Sequence, residues 1–417
     1  MIEIDGDRLL ADLRTLSEFG RVETGVHRLS LTDEDVAARK WLAARMAEAG
    51  LEARIDGLGN VYGTTPGVRR TVLIGSHTDT VPKGGWLDGA MGVMYGLEVA
   101  RAFLESRGAG GEDNRDAGVD VISFVDEEGH FHGTTGSLTF CGDFDPETVL
   151  TFTNTDGVSY AEALARTGFA GGPVTRLDPA RHIAFMEAHI EQGPILEAAD
   201  KRIGIVTGIA GMRRTAAVFS GQADHAGTIP MAMRRDAAGA MIAFLHDLAG
   251  RFKAMAAANT VWNFGYYRIE PGAPNQVAAR AEVTVEFRDL DKALLDRMAD
   301  EVEAAAADAA GATGGKVSVE TDRVLAIHPA DMAPEIGRHI EAASLALDVE
   351  PLWMPSGAAH DAMHLARVMP SAMLFVPSLG GRSHDPAENT SDADIVLGAQ
   401  VLAGTVERVL ADPSFAS

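Results

Sequence analysis

Val72-Leu73-Ile74-Gly75-Ser76-His77-Thr78-Asp79 is a short apolar run that turns polar at its end. Consecutive aliphatic residues without polar alternation read as a strand buried on both faces. A second such run, Val119 to Val125, ends at Asp126-Glu127-Glu128. Open α/β sheets build their sites just past the carboxyl ends of their strands. The two runs therefore predict an α/β layer fold with polar chemistry gathered at one sheet edge.

Outward from these strands the pattern holds. The Gly-rich turn 84–92 leads into a helical stretch to about Ser106, and residues 107–117, rich in Gly, Asp and Asn, read as an exposed loop. Upstream, Thr32 with Asp35 three residues on resembles a capping box, Val36, Trp41, Leu42 and Met46 follow, and Gly50 closes a surface helix over 32–49. The character changes near Gly211. From Met212 to about Glu320 the expected order is strand, helix, strand, strand, helix, strand. In Glu282–Arg288, Val283, Val285 and Phe287 alternate with polar residues, so that sheet is covered on one side only. Leu295, Met298, Val302 and Ala306 mark a helix over 292–310 that ends at Gly311. From Asp322 the α/β pattern resumes. The expected organisation is a discontinuous α/β domain with a mostly parallel sheet, 1–211 with 322–417, carrying an inserted α+β domain at 212–321.

Composition narrows the function. Lys plus Arg total 36 against 60 Asp plus Glu, a formal charge of −24, and such a field repels nucleic acid and anionic membranes. No apolar run approaches the roughly 20 residues of a membrane helix. The opening Met1-Ile2-Glu3-Ile4-Asp5 lacks the basic-then-apolar signal-peptide pattern, so the expected location is the cytoplasm. The single cysteine, Cys141, excludes an internal disulfide and any Cys-rich zinc knuckle. A bound metal would have to be held by His and carboxylates.

Several segments offer such donors, and each has a plainer reading. His77 and Asp79 stand two apart after a strand, which suits a ligating His whose other ring nitrogen is oriented by the carboxylate; taken alone, His-x-Asp is common. Asp88 between glycines can approach a metal closely, and equally can cap a helix. Glu127 and Glu128 repel each other unless a cation or a proton intervenes. On a strand they would point to opposite sides, one to a metal and one to a reacting water, while a solvated acidic turn is the plain alternative. His189 and His384 would each serve as well as surface or capping residues.

Together, Gly59-Asn60-Val61-Tyr62-Gly63, Gly75-Ser76-His77-Thr78-Asp79-Thr80, Glu127-Glu128-Gly129, His189-Ile190-Glu191-Gln192-Gly193-Pro194 and Ser383-His384 with Glu388 resemble the zinc-dependent M20 peptidase superfamily. They resemble in particular its amidase, hydantoinase and carbamoylase branch, and Ala223-Asp224-His225-Ala226-Gly227-Thr228, Pro230-Met231 and Pro274-Asn275 extend the likeness into the insert. The resemblance implies a binuclear centre bridged by Asp88, with His77 and His189 on one metal and Glu128 and His384 on the other. Zn²⁺ is the implied occupant, with Mn²⁺, Co²⁺ or Ni²⁺ also suited to nitrogen and oxygen donors. It implies Glu127 as general base, Asp79 as a supporting catalytic residue and His225 as oxyanion donor across the interface of a homodimer. The insert would then be a ferredoxin-like dimerisation and lid domain. By fold-level analogy the two domains close on substrate, with hinges near 211 and 322. Asn275 and Arg288 match positions that hold a substrate α-carboxylate, and Gln192 adds an amide contact. The plain reading of Arg288 is a surface pair with Glu286 or Asp289.

The sequence departs from the branch at Gly129-His130-Phe131-His132, where Gly-Ser-Arg-Phe is usual, and at Arg382 and Asn389. The expected reaction is hydrolysis of an N-carbamoyl-L-amino acid to the amino acid, carbon dioxide and ammonia. The alternatives are an amidohydrolase of N-acyl amino acids or of allantoate and, from another class, a catalytically silent binding protein. Ser356-Gly357-Ala358-Ala359-His360-Asp361 resembles a loop near the substrate and equally a simple chain reversal.

Overall fold

The computed structural model describes residues 2–108 and 116–415. The chain forms two compact units, Met1–Thr207 with Asp331–Ser417, and Gly208–Ala330.

In the first unit a mixed sheet runs Gly204–Ile209, Ser371–Val376, His182–Ile190, Arg70–His77, Ala117–Phe124, Val61–Thr64, Glu52–Ile55. The four strands from Ser371–Val376 to Ala117–Phe124 are parallel, and the strands flanking them pair antiparallel. In Arg70–His77 every residue after Arg70 is buried, and all of Ala117–Phe124 is buried. The continuous apolar runs follow from that double coverage. Helices Gly6–Ser17, Asp33–Glu48, Ala90–Gly108, Pro334–Leu345 and Asp392–Ala411 supply it, through Leu13, Leu42, Val93, Ile340 and Val406 among others. The loop expected over 107–117 lies largely outside the described residues.

The helix Asp33–Glu48 begins at the Thr32 cap, and Leu42 and Met46 face inward. Asp35 and Arg39 are buried on that same face, so this helix carries charge into the interior. The expected strand 119–125 stops at Phe124. Asp126 takes a left-handed backbone, φ 59°, and turns the chain, so Glu127 and Glu128 stand in a turn and not on a strand.

In the second unit an antiparallel sheet runs Val261–Glu270, Arg280–Asp289, Gly211–Ser220, Ser318–Ile327. Helices Ala237–Met255 and Lys292–Ala312 pack Phe244, Leu248, Phe252, Leu295, Met298 and Val302 against Phe219, Val283, Val285 and Phe287. Arg280–Asp289 alternates strictly between half-buried and buried positions, as a sheet covered on one face requires. The last strand continues past Asp322, because its pairing with Gly211–Ser220 runs on to Ile327 opposite Met212. Gly311 lies within the last turn of its helix. Among the described residues no helix is long and apolar enough to cross a membrane.

Candidate metal centre

Four elements of the first unit deliver the donors. His77 is the last residue of its strand, Asp88 sits in the turn before the helix Ala90–Gly108, Glu127 and Glu128 follow the strand Ala117–Phe124, and His189 lies near the end of His182–Ile190. His384 arrives from a loop with a left-handed backbone, φ 55°. Two glycines allow the approach. A Cβ on Gly89, whose φ is +62°, would stand 2.3 Å from His77 Nε2, and one on Gly85 would stand 1.9 Å from Glu388 Oε1. A side chain at Gly89 would displace the His77 ring or the turn, and one at Gly85 would displace the Glu388 carboxylate or the turn.

Asp88 is the hub. Its Oδ1 lies 3.1 Å from His189 Nε2 and 3.7 Å from His77 Nε2. Its Oδ2 lies 3.3 Å from His384 Nε2, which is 3.6 Å from Glu128 Oε2. Glu127 Oε2 stands 3.7 Å from His77 Nε2. Ligand atoms of His77, Asp88 and His189 lie within 4.8 Å of one another, and so do those of Asp88, Glu128 and His384.

The ring tautomers follow from the other nitrogens. His77 Nδ1 donates to the Asp79 carbonyl and His189 Nδ1 to the Ile190 carbonyl, each at 2.9 Å. The Nε2 lone pairs are thereby turned toward Asp88. Lone pairs facing a carboxylate call for a cation or a proton between them. Burial lowers the His189 imidazole, yet the Asp88 hydrogen bond and charge outweigh it and raise it to about 9. For Asp88 the hydrogen bonds to His189 and His384 outweigh burial and hold the carboxyl well below its ordinary value. Burial pushes Glu127 and Glu128 well up, reinforced by the charge of Glu128 on the former and of Asp88 on the latter. Glu128 Oε1 is buried without a hydrogen-bond partner. The donor chemistry of these histidines and acids fits divalent cations, since hard oxygen and borderline nitrogen donors without sulfur suit Zn²⁺ and its neighbours.

Asp79 does not orient His77 through its carboxylate, as the His-x-Asp spacing suggested. The short link is its backbone carbonyl, and the carboxylate is 3.9 Å from Nδ1. Its Oδ2 instead accepts the Glu128 backbone N–H at 3.2 Å. Gln192, also left-handed at φ 59°, donates from Nε2 to Asp88 Oδ2 at 3.0 Å and to Ser383 Oγ at 2.9 Å. Its Oε1 is buried without a hydrogen-bond partner.

Sequence reasoning assigned no role to three neighbours. Glu388 accepts the Leu87 and Asp88 backbone N–H groups at 3.2 and 3.0 Å and the Ser383 hydroxyl at 3.1 Å, holding the Asp88 turn; burial and the Asp88 charge push it up to about 7. His360 packs edge-on to His189, with centroids 4.5 Å apart, and its Nε2 meets Ser356 Oγ at 2.9 Å. Glu187 accepts the Ser76 hydroxyl at 2.6 Å and the Ala362 N–H at 2.8 Å. For Glu388 and His360 the only advance signal was their presence in motif segments, and for Glu187 its place two residues before His189 on a buried strand; the partners of Glu187 and the backbone that Glu388 holds are distant in the chain.

His130 and His132 serve packing. His132 stacks on Phe152 at 4.6 Å, and His130 packs edge-on to Phe131 with its Nε2 3.1 Å from Asn154 Nδ2.

The second unit carries the other expected residues. His225 is exposed, and its Nδ1 accepts the Gly227 N–H at 3.0 Å, which leaves the ring proton on Nε2 as a donor. The Asn275 carbonyl accepts the Ala226 N–H at 2.9 Å, so His225 and Asn275 are adjacent. Arg288 donates from Nη2 and Nε to Glu286 Oε1 at 2.8 and 3.2 Å, and Arg214 bonds the other oxygen of Glu286.

A profile of peptidase family M20/M25/M40 matches residues 73–408. An N-carbamoyl-L-amino acid amidohydrolase of Geobacillus stearothermophilus is 36% identical over 414 residues, covering 97% of this chain and 98% of that protein. An allantoate amidohydrolase of Escherichia coli is 32% identical over 398 residues, 93% of this chain and 94% of that one. Among solved structures, an amidase of the hydantoinase/carbamoylase family from Burkholderia phymatum superposes with a TM-score of 0.90 at 42% identity, covering 98% of both chains.

Proposed function

The chain belongs to peptidase family M20/M25/M40, and from that membership we propose that it is a binuclear amidohydrolase releasing an L-amino acid, carbon dioxide and ammonia from an N-carbamoyl-L-amino acid. The observation that carries this reading is the convergence of His77, His189, His384 and Glu128 on one buried carboxylate, Asp88, with Glu127 beside them. Two divalent cations held by His77, Asp88 and His189 and by Asp88, Glu128 and His384 would make a shared water acidic near neutral pH and polarise the scissile carbonyl. Zn²⁺ is the proposed occupant.

The chain's own groups do the rest. Glu127 takes the proton of the attacking water and carries it to the leaving nitrogen. The developing oxyanion accepts a hydrogen bond from Nε2–H of His225 of the partner subunit in a homodimer. Arg288 exchanges Glu286 for the substrate α-carboxylate, a planar fork suited to two parallel hydrogen bonds, and Asn275 adds an amide contact. Gln192, its Nε2 committed to Asp88, offers Oε1 to a ureido N–H.

The test loads the protein with Zn²⁺, Mn²⁺ or Co²⁺ and follows ammonia and free amino acid together. The panel holds N-carbamoyl, N-formyl and N-acetyl L-amino acids, N-carbamoyl-β-alanine and allantoate. Ammonia in step with the L-amino acid is the expected result. Amino acid without ammonia from the N-acyl compounds would replace the carbamoyl reading with an N-acyl one, and turnover of allantoate alone would move the enzyme to that substrate.

A further inference from the structure

Two guanidinium groups, Arg28 and Arg39, are fully buried at the ends of the strands that feed the metal centre. Buried charge is costly unless it is paired and hydrogen-bonded, and the partners here are informative. Arg28 Nε donates to the Thr78 carbonyl at 2.6 Å, and Nη1 donates to the Leu16 and Phe19 carbonyls at 2.8 Å. Thr78 lies between His77 and Asp79.

Arg39 reaches further. Its Nε donates to Asp35 Oδ2 at 2.7 Å, and Nη1 donates to the Gly59 carbonyl at 3.1 Å. Both terminal nitrogens meet the Phe124 carbonyl at 3.4 Å, three residues before Glu127. Nη2 also stands 3.7 Å from Asp79 Oδ1, an oxygen buried without a hydrogen-bond partner. The other oxygen of Asp79 receives the Glu128 N–H. One guanidinium thus touches the strand end that leads to Glu127 and faces the carboxylate that holds the Glu128 backbone.

We propose that Arg39, charge-balanced by Asp35, is a positioning residue for the metal centre, acting through Asp79 and the Phe124 carbonyl to fix the turn from which Glu127 and Glu128 project. The inference rests on the metal-centre reading above. Asp79 adds a carboxylate next to a cluster already crowded with Asp88, Glu127 and Glu128, and Arg39 faces it at 3.7 Å and offsets its charge. Only a fork of donors spans Asp35, Gly59, Phe124 and Asp79 at once; a lysine ammonium keeps the charge and loses that geometry.

Calorimetric titration of the metal-free protein with Zn²⁺ tests this, with circular dichroism and the thermal midpoint of each metal-free variant measured in parallel. Arg39→Lys is expected to weaken at least one binding step by roughly tenfold or more, the range for residues that orient metal ligands. Arg101→Lys is the control. Arg101 is likewise buried, bonded through Nη1 to Asp12 Oδ2 at 2.5 Å, and lies on the helix Ala90–Gly108, so its loss should lower the thermal midpoint and leave affinity unchanged. If Arg39→Lys does not fold, Asp35→Asn carries the test. Its amide oxygen can still accept from Arg39 while the counter-charge is gone, and affinity should fall in the same direction. A folded variant of either kind with wild-type affinity overturns the proposal. Wild-type protein that takes up no metal overturns the metal-centre reading, and this proposal with it.

Discussion

Glu127 and Glu128 are chain neighbours whose carboxylates approach different histidines, His77 and His384. Because Glu127 itself comes within 3.7 Å of His77 Nε2, a base and a ligand are separated here by experiment. Glu127→Gln keeps the shape and removes the base, so turnover should fall by about 10²–10⁴ while elemental analysis still finds two metals per chain. Loss of metal in step with activity would make Glu127 a ligand. At Arg288 the pairing with Glu286 matches the plain reading of that residue, and the substrate role is a separate claim. Arg288→Lys should impair hydrolysis of an α-carboxylate substrate far more than of the corresponding amide, and equal losses in kcat/KM for the two would remove the role. The motif resemblance pointed to these candidates, where residue types alone left plainer readings open; the Asp79 carbonyl as the partner of His77 was not legible, since any residue type supplies a carbonyl.

The elements show how a sequence pattern succeeds and where it stops. Alternation in Arg280–Asp289 is readable because a half-buried strand repeats every second residue. The helix Asp33–Glu48 is readable at its Thr32 cap and at Leu42 and Met46, but the burial of Asp35 and Arg39 is not. Their partners Gly59, Phe124 and Asp79 come from other elements. A second buried clasp, at Asp120, ties strands together at a distance from the metal centre. Asp120 accepts from Tyr62 at 3.0 Å, Thr71 at 3.1 Å and Arg181 at 2.6 Å. Burial alone would raise this carboxyl, yet hydrogen bonds from His182 and Arg181 outweigh it and hold it at about 2 against an ordinary 3.8. A depressed folded value means stability that is fully present above about pH 4 and lost as pH falls toward 2, about 2 kcal/mol in all. Urea unfolding of wild type and Asp120→Asn should therefore differ most above pH 4 and converge toward pH 2. A difference that stays constant over that range would deny the linkage.

At the scale of the molecule, the proposed ligands span residues 77 to 384 and meet only in the folded first unit. Cations bound there add directly to folding stability, about 2.7 kcal/mol at a hundredfold excess over Kd. Chelation should abolish turnover and lower the thermal midpoint, and restoring Zn²⁺ should recover both; full activity after verified metal removal would end the hydrolytic mechanism proposed here. By itself the amino-acid sequence determined the buried strands and the change of pattern near Gly211, which local periodicity carries without knowledge of distant neighbours, and it pointed to the family and the candidate donors through the joint resemblance of its motifs. Only the tertiary structure decided that Asp126 turns Glu127 and Glu128 off their strand, that Glu388 holds Asp88, that His130 and His132 pack on aromatic rings and that two arginines lie beneath the strand ends. Each of those depends on which atom of a remote segment fills a particular hydrogen bond or void, and that is settled when the chain packs.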